Sequence, residues 1–160
     1  MEIERKFLVR EPPRGLERSR TTRIEQGYIA IAADGTEVRV RRRGGAAMLT
    51  VKSGSGRSRL EEEIAIDAER FARLWPLTEG RRLEKTRHLI PTRAGLTIEL
   101  DVYSGGLTGL MVAEVEFDSE DAADAFEPPG WFGAEVTDDA RFKNQKLACE
   151  GVPADALPDE

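Results

Sequence analysis

Apolar and polar residues alternate along most of this 160-residue chain. Side chains two residues apart on a β-strand point to the same face, so the alternation predicts strands with one apolar and one polar face. Turn-forming pairs such as Asp34-Gly35 and Gly44-Gly45 separate most of the alternating runs. Strands are predicted at residues 2–9, 23–31, 37–43, 46–53, 59–66, 82–90, 96–103 and 111–118.

Helices are predicted at residues 68–76, 120–127 and 138–149. Each follows a residue whose side chain can cap the first turn, namely Asp67, Ser119 and Thr137. The tail, residues 151–160, is expected to fray. Because no internal repeat, low-complexity tract or linker is found, residues 1–150 are expected to form one domain.

The polar faces of these strands repeat like charge beside like charge. Arg39 with Arg41 and Glu114 with Glu116 are examples. Two carboxylates on one face lie ~7 Å apart and repel by roughly 2 kcal/mol at an effective dielectric near 20. Any one such strand fits a sheet whose polar face is in solvent. The whole series instead favours a fold in which opposite charges, or a ligand, lie between the like ones.

An open sheet of this many strands would expose long edges, and nothing in the sequence protects them. A barrel of about eight strands has no edges and can hold one small ligand. We therefore predict an α+β fold, a closed eight-stranded antiparallel β-barrel or tunnel with a charged, water-filled lumen and helices packed on the outside. The predicted lumen residues are Glu2, Glu4, Lys6, Arg39, Arg41, Lys52, Glu61, Glu63, Lys85, Arg87, Glu99, Asp101, Glu114 and Glu116.

Composition limits the partners. The chain has 24 Lys and Arg against 30 Asp and Glu, a net charge of −6, so neither nucleic acid nor an anionic membrane surface is an expected partner. One Cys and one His leave carboxylates as the only plentiful metal ligands, which favours Mg²⁺ or Mn²⁺. The N-terminus lacks the apolar segment of a secretory signal, and a cytoplasmic location is expected.

A lumen of this kind suits a polyanion that arrives with a divalent cation. Arg and Lys bind phosphate oxygens, whereas carboxylates hold the cation that bridges to them. No Ser or Cys lies beside a plausible base, so the expected nucleophile is water. Hydrolysis of a phosphoanhydride needs these parts and no others.

The N-terminal series Glu2-x-Glu4-x-Lys6 resembles the ExExK signature of the CYTH superfamily, the triphosphate tunnel metalloenzymes. The resemblance covers nearly the whole chain in order. It continues through Gln26-Gly27-Tyr28, Val38-Arg39-Val40-Arg41, Thr50-Val51-Lys52, Glu61-Glu62-Glu63, Glu84-Lys85-Thr86-Arg87, Glu99-Leu100-Asp101, Glu114-Val115-Glu116, Glu135-Val136-Thr137-Asp138 and Asn144.

The resemblance implies a role for each matching residue. Glu2, Glu4 and Glu116, with Glu114 nearby, resemble ligands of the metal that binds substrate oxygens. Two Mg²⁺ or Mn²⁺ ions are expected. One departure is Phe142, which replaces a tyrosine of many relatives. The implied triphosphate clamp is Lys6, Arg39, Arg41, Lys52, Lys85 and Arg87, with Tyr28 on the same face; the implied catalytic residues, which orient water or hold a second metal, are Glu61, Glu63 and Asp101, together with Lys85.

The sequence indicates the type of reaction more narrowly than it indicates the substrate. Family members act on inorganic triphosphate, thiamine triphosphate or nucleoside triphosphates, and some cyclise ATP. Only Tyr28 and Tyr103 are aromatic on the site face, which favours inorganic triphosphate (tripolyphosphate), cleaved to pyrophosphate and phosphate. A polyphosphate- or nucleotide-binding module without turnover is the alternative of another class. The oligomeric state is left open, with a homodimer as one alternative.

Two further residues, one histidine and one tryptophan, are expected to lie outside the site. His88 has the parity opposite to Lys85 and Arg87, which indicates a surface or packing role. Trp131 follows Pro128-Pro129-Gly130, and packing is favoured over a role as a lid.

Overall fold

The computed structural model describes residues 3–53 and 60–157, and within them the chain forms one antiparallel sheet with short helices. All of the predicted strands are found, and β9 is an additional one. The strands are β1 Ile3–Val9, β2 Arg20–Ile31, β3 Glu37–Arg43, β4 Ala46–Lys52, β5 Glu61–Ile66, β6 Arg82–Pro91, β7 Thr97–Ser104, β8 Met111–Phe117 and β9 Phe132–Glu135; the helices are α1 Ala68–Leu74, α2 Glu120–Ala125 and α3 Asn144–Glu150.

The prediction of eight strands was wrong because β9 has only four residues and includes Gly133, so alternation could not reveal it. The strand order is β5-β4-β3-β2-β6-β7-β8-β1-β9. β9 pairs with β1 on the side opposite to β8, with Phe7 across from Glu135. β9 therefore occupies the edge of β1 with which β5 would have to pair to close the sheet into a barrel. In the described residues the sheet is therefore not closed by hydrogen bonds, and the closed barrel is not confirmed.

The first two helices begin where the sequence predicts. The Asp67 carboxylate accepts a hydrogen bond from the Arg70 backbone N–H (2.7 Å), and the Ser119 hydroxyl accepts one from Ala122 N–H (3.0 Å). α1 ends at Leu74 and continues as a 3-10 turn to Thr78, whereas α2 is shorter than predicted and ends at Ala125.

The third helix begins later than predicted. Thr137 does not cap it; instead, the Asp139 carboxylate accepts a hydrogen bond from Arg141 N–H (3.1 Å) and forms an ion pair with the Arg141 guanidinium (2.7 Å). A 3-10 turn over Ala140–Phe142 results, and α3 starts only at Asn144. The local capping by Asp139 therefore divides the predicted helix in two.

The apolar core lies in three clusters. Two of them are on the apolar face of the sheet: α1 places Phe71 against Val40 and Ala47, and α2 places Ala123 in a cluster with Val115 and Phe117. This agrees with helices packed outside a charged interior. No helix among the described residues has both the length and the apolar character that a membrane span requires.

The third cluster is on the other face. Tyr28 and Tyr103 lie across from Arg39 and Lys85 in the strand register, so they share the charged face. Phe142 and Leu147 pack against these tyrosines, so α3 and the turn before it cover one end of that face. This helix does not lie outside with the others. Val152 and Ala156, after α3, also pack against this cluster.

Candidate functional site

The register of the sheet brings the charged residues of separate strands onto one face. Glu4 of β1 lies across from Glu116 of β8, and Lys6 lies across from Glu114. The pairings of the other strands place every described member of the predicted lumen on this same face. We call these residues the charged face: Glu4, Lys6, Arg39, Arg41, Lys52, Glu61, Glu63, Lys85, Arg87, Glu99, Asp101, Glu114 and Glu116. Glu2, predicted as a metal ligand, lies outside the described residues.

Three carboxylates of the charged face meet at β1 and β8. Glu4, Glu114 and Glu116 each contribute an oxygen, and these oxygens all lie within 4.8 Å of one another. Burial and a hydrogen bond with Glu4 raise the pKa of Glu114 to about 7, so Glu114 is partly protonated near neutral pH. Oxygen donors alone, at this spacing, suit a hard divalent cation such as Mg²⁺ or Mn²⁺.

A buried ionic network lies beside this carboxylate cluster. Asp101 accepts hydrogen bonds from Lys85 Nζ (2.8 Å), Arg87 Nε (2.9 Å) and Arg87 Nη2 (3.1 Å). The exposed fraction is 2% for Lys85 and 3% for Asp101. Arg87 also pairs through Nη1 with Glu99 (2.9 Å), which the sequence placed in the lumen without a role. The arginine thus links two carboxylates of β7.

The pKa values in this network follow from burial and charge together. Burial alone would raise the pKa of Asp101, but the charge of Lys85 and the hydrogen bond from Arg87 outweigh it and lower the pKa. Burial lowers the pKa of Lys85, and Asp101 opposes that change. Asp101 is therefore a carboxylate held ionised, with both of its oxygens engaged.

A second group of cations lies on β3. Arg39 is half-buried, and its Nε is buried with no hydrogen-bond partner among the described residues. Burial lowers the pKa of Arg41, and the nearby charges of Arg39 and Arg43 lower it further. The charge of Glu63 raises it and that of Arg87 lowers it, so strands on both sides of Arg41 contribute to its electrostatic environment. These arginines concentrate positive charge that a polyanion could neutralise.

Tyr28 and two neighbours form a polar group at the end of the charged face. The Tyr28 hydroxyl accepts a hydrogen bond from Gln26 Nε2 (2.7 Å), and burial, with the charge of Glu37, raises its pKa to about 12. Glu37 was not predicted as a site residue, although it has the same parity as Arg39. One of its oxygens, Oε2, is buried without a hydrogen-bond partner among the described residues. Parity alone could have found it.

Lys52, Glu61 and Glu63 lie at the open end of the strand order and are less enclosed. Lys52 Nζ is 3.8 Å from Glu61 Oε1, and the two side chains are 32% and 47% exposed. β5 is exposed along most of its length. The described residues thus bring together the carboxylate cluster, the Asp101 network and the β3 arginines, but leave Glu61 and Glu63 at the sheet edge. Lys6, in contrast, lies beside the carboxylate cluster, across from Glu114. Its Nζ donates a hydrogen bond to the Phe142 carbonyl (3.5 Å).

Comparison with known proteins gives the family. The CYTH domain matches residues 1–135. The chain belongs to the CYTH family. It is 52% identical over 147 residues to a protein of Nitrosomonas europaea named inorganic triphosphatase, covering 92% of this chain and 96% of that one. A protein of Acetivibrio thermocellus with the same name is 40% identical over 149 residues, covering 91% and 92%.

A solved structure supports the same fold. The crystal structure of an inorganic triphosphatase, 49% identical in sequence, superposes with a TM-score of 0.81 over 93% of this chain and 95% of that chain. The CYTH match includes the whole charged face and ends at residue 135, before α3. The helix that covers one end of the charged face in this CYTH protein therefore lies beyond the matched segment.

Proposed function

We propose that this CYTH protein hydrolyses inorganic triphosphate (tripolyphosphate) to pyrophosphate and phosphate, with Mg²⁺ or Mn²⁺ as cofactor. The proposal rests on one observation. The carboxylates of Glu4, Glu114 and Glu116 lie together on the face that also holds the buried cation of Lys85. A cation clamp alone would only bind a polyanion, whereas carboxylates next to the clamp would repel a polyanion unless a metal intervened. The names of the two relatives agree with this reaction.

The carboxylates supply the metal site. Glu4, Glu114 and Glu116 would hold one divalent cation, and we assign Glu2 to the same site from its place in the motif. A bound cation would neutralise phosphate charge and lower the pKa of a water molecule. The proton on Glu114 must leave before a cation binds, which makes binding of the metal dependent on pH.

The cations bind and orient the substrate. We assign the clamp to Lys6, Arg39, Arg41, Lys52, Lys85 and Arg87. Asp101 holds Lys85 and Arg87 in fixed positions, so little reorganisation is needed when phosphate binds. Arg39 and Arg41 form no ion pair among the described residues. Arg39 Nε also has no hydrogen-bond partner there, so both side chains could donate to phosphate oxygens. Tyr28 would support Arg39, which lies across from it.

Water orientation is assigned to the carboxylates of β5. Both oxygens of Asp101 already accept hydrogen bonds from cations, so we propose that Asp101 positions Lys85 and Arg87 and does not act as a base. Glu61 and Glu63 are then the remaining predicted carboxylates, for a water or a second metal. Because β5 is at the open end of the sheet, this role requires the sheet to close around the substrate into the predicted tunnel.

The two site-face tyrosines support inorganic triphosphate over a nucleotide as substrate. Tyr28 is 1% exposed and Tyr103 is 5% exposed, and Lys85 Nζ lies 5.4 Å from the centre of the Tyr103 ring. Neither ring offers a free surface on which a base or a thiazolium ring could stack. The cytoplasmic location, the domain boundary at residue 150 and the oligomeric state stay predictions.

Phosphate release from tripolyphosphate, measured with and without Mg²⁺ or Mn²⁺, tests the proposal. Glu4→Ala and Lys6→Ala should each abolish turnover while the circular dichroism spectrum is unchanged, because each removes one part of the metal site or clamp. Full metal-dependent activity in Glu4→Ala would contradict the assignment of β1. Chelator-insensitive binding without turnover would indicate a binding module, and cyclic AMP with pyrophosphate from ATP would indicate a cyclase.

A further inference from the structure

A groove of about 650 Å³ lies apart from the charged face. Ile90 and Ile98 line it, and these residues have the parity opposite to Arg87 and Glu99 on the same strands. Through these two residues the groove lies against the other face of the sheet, and Leu89 also lines it. Its walls come from three connections: β1 to β2, β6 to β7, and α2 to β9.

Positive charge is concentrated around this groove. Arg14 and Arg18 come from the β1–β2 connection, and Arg93 comes from the turn between β6 and β7. Of the described residues that line the groove, none is Asp or Glu. None of these arginines forms an ion pair within the described part of the chain. In a chain with a net charge of −6, this grouping of unpaired cations marks a place for an anion.

The floor of the groove is apolar and contains an indole. Leu16, Ile90, Ile98 and Trp131 are among the residues that line it. Trp131 is half-buried, and Phe132 packs against it at a centroid distance of 4.6 Å and an interplanar angle of 83°. The sequence assigned Trp131 to packing, which this contact confirms. Trp131 therefore packs against the core and also lines the groove.

We propose that this groove binds a nucleotide, with the base against Trp131 and the aliphatic floor and the phosphates on Arg14, Arg18 and Arg93. A flat ring joined to a compact group of negative charge is the chemistry that an indole and several arginines recognise together. The volume is that of a pocket for one small molecule. This favours a nucleotide over an acidic peptide, which would need an elongated groove. The site is separate from the triphosphate site and does not depend on the proposed function.

Calorimetric titration with ADP tests this inference. ADP should bind, and Arg93→Glu or the double change Arg14→Glu, Arg18→Glu should weaken binding by about tenfold or more, since a charge-assisted hydrogen bond is lost and a like charge is added. Arg73→Glu is the matched control, an arginine 66% exposed on α1, and should leave ADP binding unchanged. In a Trp75→Phe background, ADP should quench the fluorescence of Trp131.

Several results would overturn the inference. The first is that millimolar ADP gives neither a heat of binding nor quenching of Trp131 fluorescence. A second is loss of ADP binding in Arg41→Ala with retention in Arg93→Glu, which would place ADP on the charged face. A third is pyrophosphate binding as tightly as ADP, because the ring would then contribute nothing. Binding of hexaglutamate, but not of ADP, would assign the groove to an acidic peptide. Thermal unfolding of each variant separates lost binding from lost folding.

Discussion

Asp101 and Glu61 have the same kind of position in the sequence but very different surroundings. Each is a carboxylate on the polar side of an alternating strand. The Asp101 side chain is 5% exposed and pairs with Lys85 and Arg87. The Glu61 side chain is 47% exposed, and among the described residues it pairs only with Lys52. At the scale of the residue, burial therefore decides how much a carboxylate and its ion pairs contribute to the free energy of unfolding.

Replacing these two carboxylates should have unequal effects. Asp101→Ala leaves a buried Lys85 without its partner, so the free energy of unfolding should fall by about 3 kcal/mol. Glu61→Ala, the matched control, should cost less than about 1 kcal/mol because its pair is exposed. Urea unfolding of both variants measures the difference. Equal losses would contradict the view that burial of the Asp101 network makes its ion pairs important for stability.

At the scale of the element, the carboxylate cluster depends on β1 adding to β8. These strands are more than a hundred residues apart in the chain, and their pairing places Glu4 across from Glu116. β7 and β8 then bring Glu99 across from Glu114. Lys6, across from Glu114, and Arg87, paired with Glu99, offset part of this negative charge. A proton on Glu114 or a bound cation would offset more of it.

The raised pKa of Glu114 makes the stability of the metal-free protein depend on pH. The pKa of Glu114 rises from an ordinary 4.5 to about 7 on folding, so between these values the folded protein holds a proton that the unfolded chain has lost. Stability should therefore fall as pH rises through this window. Thermal unfolding should show a smaller fall in Glu114→Gln than in wild type.

Glu62→Gln, at an exposed position on β5, should follow the wild-type curve and serves as the control. Added Mg²⁺ or Mn²⁺ should stabilise the wild type more at pH 8 than at pH 6, because the cation binds the ionised carboxylates. A Glu114→Gln curve that is parallel to wild type over the whole range would place the titrating group elsewhere.

At the scale of the whole molecule, the sheet formed by the described residues has two ends that do not pair with each other. β5 ends the strand order on one side, and β9 ends it on the other after pairing with β1. The proposed roles of Glu61 and Glu63 require the β5 end to approach the rest of the charged face. Since an exposed edge strand exchanges its amide hydrogens readily, such a movement would be visible in the exchange rate.

Hydrogen exchange should therefore slow in β5, over Glu61–Ile66, when tripolyphosphate and a divalent cation are added. Ca²⁺ can replace Mg²⁺ if turnover is too fast for the measurement. The same addition to Lys6→Ala should give little protection, because substrate binding is impaired. Wild-type β5 that exchanges equally fast with and without ligand would argue against closure, while leaving the carboxylate cluster and the clamp in place.

The sequence by itself determined which side chains share a face within a strand, because the pleat of a β-strand is a local property. Arg39 with Arg41, and Glu114 with Glu116, could be paired without any tertiary information, and parity would also have included Glu37. The predominance of carboxylates over His and Cys likewise indicated a hard cation before any fold was known.

Only the tertiary structure decided how the strands meet. The position of β1 between β8 and β9, the cover of α3 over Tyr28 and Tyr103, and the burial of Lys85 all result from contacts between distant segments. Alternation within one strand carries no information on its neighbours. For that reason the sequence could predict a charged face but not its free edges, and it could not reveal the arginine-lined groove on the other side of the sheet.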